Sequence, residues 1–155
     1  MAIQIGDKLP SFKATKQDGT AFESASIHEK PVVIYFYPKD FTPGCTTQAC
    51  SFRDAYQDFQ DLGAEVIGVS GDSVSSHQNF RQKHNLPFIL LSDTDRKLRK
   101  LFGVPTALFG LVPGRVTYVF DARGKAIYIF DSMSAKNHIA KALEAIRKAK
   151  LINFI

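Results

Sequence analysis

The two cysteines of this chain, Cys45 and Cys50, lie five residues apart, directly after an apolar run at residues 31–37. Thr42 and Pro43 precede them and are typical of a helix start, because threonine serves as an N-cap and proline is tolerated at the first helical position. Cys45 then falls in the first helical turn, where free amide N–H groups and the helix dipole favour the thiolate, the reactive form of cysteine. The pattern indicates a nucleophilic thiol with a second thiol in the same helix.

The spacing restricts how these two thiols can react with each other. In an intact α-helix the Cα atoms of residues five apart are separated by about 8.5 Å, whereas a disulfide normally requires less than about 7 Å. A bond between Cys45 and Cys50 therefore needs the first helical turn to unwind. Attack of a thiolate on an O–O or S–S bond, followed by release through a second thiol, is chemistry that such a pair can perform.

The residues alone leave other interpretations open. The two cysteines could be unrelated buried residues, and a Cys–His hydrolase requires a histidine beside Cys45 that sequence order cannot exclude. A zinc site needs more Cys or His ligands at short spacing, but the histidines are scattered, at positions 28, 77, 84 and 138. Neither a Cys-x-x-Cys motif nor a phosphate-binding glycine loop is present. We expect neither a metal nor a bound cofactor.

The elements that must position the thiols alternate between strand and helix patterns. Strands are predicted at residues 12–15, 21–23, 31–37, 65–70, 88–91, 115–121 and 125–130, and helices from the Cys45 turn to a stop at Gly63 and at 74–84 (capped by Asp72 or Ser73), 95–102 and 135–148. Asp-Gly between the first two strands is a hairpin signal. This order predicts an α/β fold, a thioredoxin-like sandwich with a central mixed β-sheet flanked by helices and an N-terminal β-hairpin extension.

Length and composition limit the function classes. The 155 residues suit one domain, residues 1–155, and 45% hydrophobic with 23% charged residues is ordinary for a globular protein. The net charge of +5 comes from dispersed bases, so we expect no nucleic-acid partner. We expect no membrane association, because no apolar run approaches the roughly 20 residues of a bilayer span. The N-terminus lacks signal-peptide features, so a cytoplasmic location is expected, or an organelle such as the plastid if a transit peptide was removed.

Residues 37–46, Tyr-Pro-Lys-Asp-Phe-Thr-Pro-Gly-Cys-Thr, with Cys-Ser-Phe-Arg at 50–53, closely resemble the peroxiredoxin signature. The Cys-x4-Cys spacing is similar to that of the subfamily named after bacterioferritin comigratory protein and peroxiredoxin Q. The likeness extends from Gly6 to the last helix, and residues 111–119 match the family's segment that carries the active-site arginine.

The resemblance implies a role for each matching residue. Cys45 is the peroxidatic cysteine, which becomes a sulfenic acid, and Cys50 is the resolving cysteine, which forms an intramolecular disulfide with it. Thr42 places its hydroxyl on the thiolate and the peroxide, and Pro38 shields the thiolate from water. Arg115 favours the thiolate and stabilises charge on the departing oxygen.

The resemblance also implies the partners of a thiol-dependent peroxidase. Hydrogen peroxide and organic hydroperoxides are the expected substrates, and thioredoxin or a glutaredoxin-like dithiol is the expected reductant. The chain lacks a further C-terminal cysteine and the Gly-Gly-Leu-Gly loop of typical two-cysteine peroxiredoxins, which favours a monomer. The apolar C-terminus at 151–155 is expected to pack back on the domain. A non-enzymatic redox sensor that uses the same disulfide is the alternative from another class.

Overall fold

The computed structural model describes residues 2–27, 29–107, 112–135 and 137–153. The strands are β1 (Lys13–Lys16), β2 (Ala21–Glu23), β3 (Val32–Phe36), β4 (Glu65–Ser70), β5 (Ile89–Ser92), β6 (Thr106–Ala107), β7 (Val112–Pro113), β8 (Val116–Phe120) and β9 (Ala126–Asp131). The helices are α1 (Pro43–Asp54), α2 (Tyr56–Asp61), α3 (Val74–His84), α4 (Lys97–Phe102) and α5 (His138–Asn153).

Seven strands form one mixed sheet in the order β2-β1-β5-β4-β3-β8-β9, and β6 pairs with β7 separately. Strand β3 is an interior strand of this sheet: it runs parallel to β4 and antiparallel to β8. The register with β8 places Phe36 opposite Val116. The end of β3, which leads to the cysteine helix, therefore lies beside Arg115, the residue before β8.

Strand β3 is buried on both faces, as its unbroken apolar sequence predicts. Val33 and Tyr35 face a core that α1, α2, α3 and α5 complete, whereas Ile34 and Phe36 face a second core closed by the β1–β2 hairpin and α4. Successive strand residues point to opposite faces. The predicted thioredoxin-like sandwich with its N-terminal hairpin is confirmed by these two layers on a mixed sheet.

One helix prediction is wrong. The stripe up to Leu62 predicted a single helix, but the structure breaks it at Ala55 into α1 and α2. Ala55 lies near φ −92° and ψ 1°, and its carbonyl accepts from the Asp58 N–H at 2.9 Å, a tightened turn that ends one helix and starts the next. The apolar stripe continues across the break because Phe52 and Phe59 both reach the same core.

The other differences concern helix boundaries and one short pair of strands. Helix α4 begins two residues later than predicted, because Arg96 adopts a left-handed φ of 62°, and the Asp93 carboxylate accepts the N–H groups of Leu98 and Arg99. Helix α5 begins at His138 rather than 135, and the short β6–β7 pair was not predicted. Within the described segments, no helix is both long and apolar enough to cross a membrane.

The expected packing of the apolar C-terminus meets one contrary observation. Leu151 is 67% exposed, so this side chain does not pack on the domain. The side chains that follow it, like His28 and the Leu111 that opens the arginine segment, lie outside the described residues.

Candidate active site

Helix α1 begins as the Thr-Pro pair predicts, with Thr42 at the N-cap and Pro43 at the first helical position. The expected side-chain cap, however, is absent. The Thr42 hydroxyl turns back and donates to the Lys39 carbonyl oxygen at 2.9 Å. The amide N–H groups of the first turn are thus left without a threonine cap, beside the thiol that the sequence places there.

Cys45 is the third residue of α1 and only 1% exposed. The Arg115 Nη2 group donates to its Sγ atom at 3.3 Å, across 70 positions of sequence. Arg115 is itself buried, with 4% of its surface exposed. A guanidinium and the positive end of a helix dipole therefore both lie against this sulfur, and each of them interacts favourably with negative charge.

Arg115 is held in place by two further hydrogen bonds. Its Nε group donates to the Met133 carbonyl oxygen at 3.0 Å, and its Nη1 group donates to the Gln48 Oε1 atom. Three bonds from one rigid, planar group fix its orientation, which a lysine at this position does not reproduce.

Two positions next to Arg115 and Cys45 in the sequence require glycine or favour it strongly. A Cβ atom at Gly114 would lie 2.3 Å from the Pro105 carbonyl oxygen, so the chain before Arg115 requires glycine. A Cβ atom at Gly44 would lie 3.1 Å from Arg115 Nη2, a contact tighter than ordinary packing. The glycine before Cys45 therefore lets the guanidinium approach the thiol.

The second thiol, Cys50, lies half-buried in the same unbroken helix, and both thiols are free. The part of α1 beyond Cys50 is anchored by Phe52, which is fully buried and stacks on Tyr35 at a ring separation of 4.5 Å. Burial, and to a lesser extent negative charge at Cys45 and Asp40, raises the pKa of Tyr35 well above its ordinary value, so its phenol stays neutral. The first turn of α1, residues 43–46, contains no aromatic residue.

The predicted site residues lie on α1, on the loop before it and directly before β8. Arg115 and Cys45 are in contact, and Cys50 lies in the same helix as Cys45. Pro38 is half-buried in the loop that leads to Thr42.

Two site residues were not anticipated from the sequence. Gln48 is fully buried and its Oε1 accepts from Arg115, while its Nε2 donor has no hydrogen-bond partner among the residues that the structure describes. His138 accepts from the Thr117 hydroxyl through Nδ1 at 2.7 Å and donates through Nε2 to the Ser132 carbonyl at 2.9 Å. The Ser132 N–H in turn donates to the Arg115 carbonyl at 3.1 Å. A glutamine in a helix or a lone histidine carries no sequence signal for such a role.

The hydrolase alternative receives no support from the buried histidines. The ring nitrogens of His77 are hydrogen-bonded to Asp40 and to the Leu91 carbonyl oxygen. Both ring nitrogens of His138 are hydrogen-bonded as described above. Neither is therefore placed to act as a base for Cys45.

His138 should make the folded state sensitive to acid. Burial lowers the pKa of His138 from its ordinary 6.5, and the Arg115 charge acts in the same direction. Because the pKa of His138 is lower in the folded than in the unfolded state, the neutral imidazole contributes fully to the free energy of unfolding above pH 6.5. This contribution is lost as the pH falls from 6.5 through the folded-state pKa. The free energy of unfolding, measured by urea titration, should therefore decline over that range less steeply in His138→Gln. An equally steep decline in His138→Gln contradicts the assignment.

The sheet with its buried cysteine–arginine pair defines a thiol-dependent redox enzyme with a thioredoxin-like fold. The sequence of residues 5–129 matches the model of the AhpC/TSA family. The chain belongs to this family, and it is a peroxiredoxin with thiol peroxidase activity.

Individual relatives agree with this assignment. The chain is 49% identical over 146 residues to the chloroplastic peroxiredoxin Q of Oryza sativa subsp. japonica, covering 94% of this chain and 67% of the relative. Identity to the chloroplastic peroxiredoxin Q of Arabidopsis thaliana is 47% over 148 residues, 95% of this chain and 68% of the relative.

Solved structures resemble it over nearly the whole chain. The peroxidoxin BcpB from Mycobacterium tuberculosis superposes with a TM-score of 0.86 at 33% identity, covering 94% of this chain and 97% of that one. A cysteine mutant of PrxQ from Xylella fastidiosa gives a TM-score of 0.89 at 27% identity, with 97% and 99% covered. Bacterioferritin comigratory protein from Xanthomonas campestris, in a study of its alkyl peroxide reduction activity, gives a TM-score of 0.84 at 30% identity. The match covers 92% of this chain and 99% of that one.

Proposed function

We propose that Cys45 is the residue that attacks the peroxide. The thiolate sulfur bonds to one peroxide oxygen as the O–O bond breaks, so that sulfur is oxidised by two electrons to a sulfenic acid. The departing alkoxide or hydroxide takes up a proton and leaves as an alcohol or water. The observation that carries this proposal is the Arg115 contact with Sγ at 3.3 Å, at the start of a helix.

Arg115, Thr42 and Pro38 are proposed to shape the peroxide site. The Arg115 guanidinium stabilises the thiolate and the charge that develops on the departing oxygen. For Thr42 to reach the peroxide, its hydroxyl must leave the Lys39 carbonyl that it now contacts. Pro38 brings no N–H group and shields the thiolate from water.

Cys50 is proposed to resolve the sulfenic acid. Its thiolate attacks the Cys45 sulfur and displaces hydroxide, which leaves as water, and a disulfide forms. The first turn of α1 must unwind for this step, whereas Phe52 keeps the later part of the helix packed. An external dithiol then reduces the disulfide and is itself oxidised.

We propose hydrogen peroxide and organic hydroperoxides as substrates and thioredoxin or a glutaredoxin-like protein as the reductant. The alkyl peroxide activity named for the Xanthomonas campestris neighbour supports the organic class. We further propose that residues 1–155 act as one domain and as a monomer, in the cytoplasm or, as the chloroplastic relatives suggest, in a plastid. The single sheet that carries both cores supports the one-domain proposal.

The direct test is to treat the reduced protein with one equivalent of hydrogen peroxide and count its thiols. Both thiols should disappear and the mass should fall by about 2 Da, the two hydrogens lost on disulfide formation. Consumption of peroxide should then continue when thioredoxin, its reductase and NADPH are supplied. Persistence of two free thiols contradicts the proposal, and oxidation without turnover favours the redox sensor.

A further inference from the structure

Asp40 is an almost fully buried carboxylate in the loop between β3 and α1, with 3% of its surface exposed. Three groups surround it: the Tyr37 hydroxyl donates to Oδ1 at 2.6 Å, the Ser76 hydroxyl donates to Oδ2 at 2.9 Å, and His77 Nδ1 lies 2.7 Å from Oδ2. A carboxylate taken out of water is costly unless such partners replace its hydration. These hydrogen bonds therefore hold the Asp40 carboxylate, and with it this part of the loop, in place.

The hydrogen-bond partners determine where the proton of the pair lies. His77 Nε2 is 3.0 Å from the Leu91 carbonyl oxygen, which can only accept, so Nε2 carries a hydrogen. Without a second ring hydrogen, the Nδ1 lone pair would face a carboxylate oxygen at 2.7 Å. A proton therefore lies between His77 and Asp40. Two hydroxyls also donate to that carboxylate, and hydrogen bonds of this kind favour its charged form.

The Asp40–His77 pair connects the loop between β3 and α1 to α3 and β5, which follow later in the sequence. His77 belongs to α3, and its other nitrogen holds β5 through Leu91. The Asp40 N–H also donates to Asp72 Oδ2 at 2.8 Å, at the junction of β4 and α3. Asp40 lies two residues after Pro38 and two before Thr42, so an anchor at Asp40 holds the middle of the segment that shapes the peroxide site.

We propose that His77 is a positioning residue: as an imidazolium paired with Asp40, it keeps the loop of residues 38–42 in the geometry needed for peroxide attack at Cys45. The inference rests on the proposed function of Cys45. This anchor should affect the two steps of the cycle differently. Attack on peroxide needs the loop in place, whereas disulfide formation needs the first turn of α1, downstream of the anchor, to open. Loosening the anchor slows attack and leaves resolution as fast or faster.

A divalent cation is the competing interpretation of this cluster, since Asp40, Asp72 and His77 offer three ligand atoms within 4.8 Å of one another. The contacts favour the proton. Asp72 Oδ2 already accepts from the Ser70 hydroxyl at 2.6 Å and from the Asp40 N–H, and both His77 nitrogens have partners.

The protonation state can be observed directly in the whole protein. With ¹⁵N-labelled histidine at pH 7, NMR should show His77 with hydrogens on both Nδ1 and Nε2, unchanged by a metal chelator. The Asp40→Asn variant should lose the Nδ1 hydrogen. A neutral wild-type ring, or an Nδ1 resonance that responds to chelator or added Zn²⁺, overturns the inference and leaves the proposed function untouched.

The kinetic test uses His77→Asn, whose amide can still donate to Asp40 but carries no charge. The attack rate, measured in a Cys50→Ser background, should fall by about 10- to 100-fold, the scale expected for small misplacement of reacting groups. The rate of disulfide formation, followed by rapid quenching and mass spectrometry with Cys50 present, should not fall. Equal slowing of both steps, or no slowing, contradicts a positioning role.

Two control variants separate positioning from stability. Ser76→Ala removes one neutral hydrogen bond from the same carboxylate and leaves the ion pair, so attack should slow much less than in His77→Asn. Phe22→Leu, in the β1–β2 hairpin at the far edge of the sheet, should lower the melting temperature without changing the ratio of the two rates. If wild-type protein itself fails to react with peroxide, the proposed function fails, and the NMR result still decides the state of His77.

Discussion

Replacing Cys50 with serine should stop catalytic turnover while leaving the first reaction with peroxide intact. Cys45, its helix turn and the Arg115 contact are unchanged by this substitution, so one equivalent of peroxide should still be consumed. Without a resolving thiol the sulfenic acid persists, and excess peroxide carries it to sulfinic and sulfonic acids. Thioredoxin-coupled turnover should fall to background, and mass spectrometry should show Cys45 gaining one, then two and three oxygen atoms.

The matched control is Thr47→Ala, an exposed position in the same helix. It should keep wild-type turnover and resist over-oxidation. If Cys50→Ser retained full turnover with thioredoxin, Cys50 would not be the resolving cysteine, and the unwinding of α1 would no longer be required by the cycle.

Replacing Arg115 with alanine should slow peroxide attack by about 10²- to 10³-fold, the usual cost of removing one charge-stabilising donor from an active site. The variant loses the cation that contacts the Cys45 sulfur. It also leaves the fully buried Gln48 Oε1 without this donor, a penalty of about 1–3 kcal/mol in stability for the unsatisfied group. The second-order rate constant for peroxide, measured in the Cys50→Ser background, isolates the chemical effect.

Two variants test whether the geometry of the arginine matters as well as its charge. Arg115→Lys keeps the charge but not the three directed hydrogen bonds, so its attack rate should lie between those of wild type and Arg115→Ala. Arg123→Ala, which removes an exposed arginine in the β8–β9 turn, should have the wild-type rate. An Arg115→Ala protein that reacts at the wild-type rate while folded would refute the assigned role.

Much of the fold was predictable because its signals are local. The apolar β-branched run at 31–37 predicted β3, and residues 65–70 and 74–84 match β4 and α3 to the residue. Gly103 ends α4 with a φ of 70°, as a glycine after an apolar stripe predicts. The break at Ala55 was missed because the apolar stripe spans it, and the path of the backbone there depends on packing against the core.

The sequence by itself determined that Cys45 lies at the start of a helix and that Cys50 lies out of reach while the helix is intact, since both follow from spacing and helix geometry. Resemblance to a family, carried by the residues around Cys45, predicted the reaction. Only the tertiary structure decided that the Arg115 guanidinium contacts the Cys45 sulfur and that Gln48 accepts a hydrogen bond from it. The same holds for the hydrogen bond of His138 to Ser132 and for the contact between His77 and Asp40. These contacts join residues between 6 and 70 positions apart, and they exist because the register of β3 with β8 and the packing of α3 on β5 bring distant segments together.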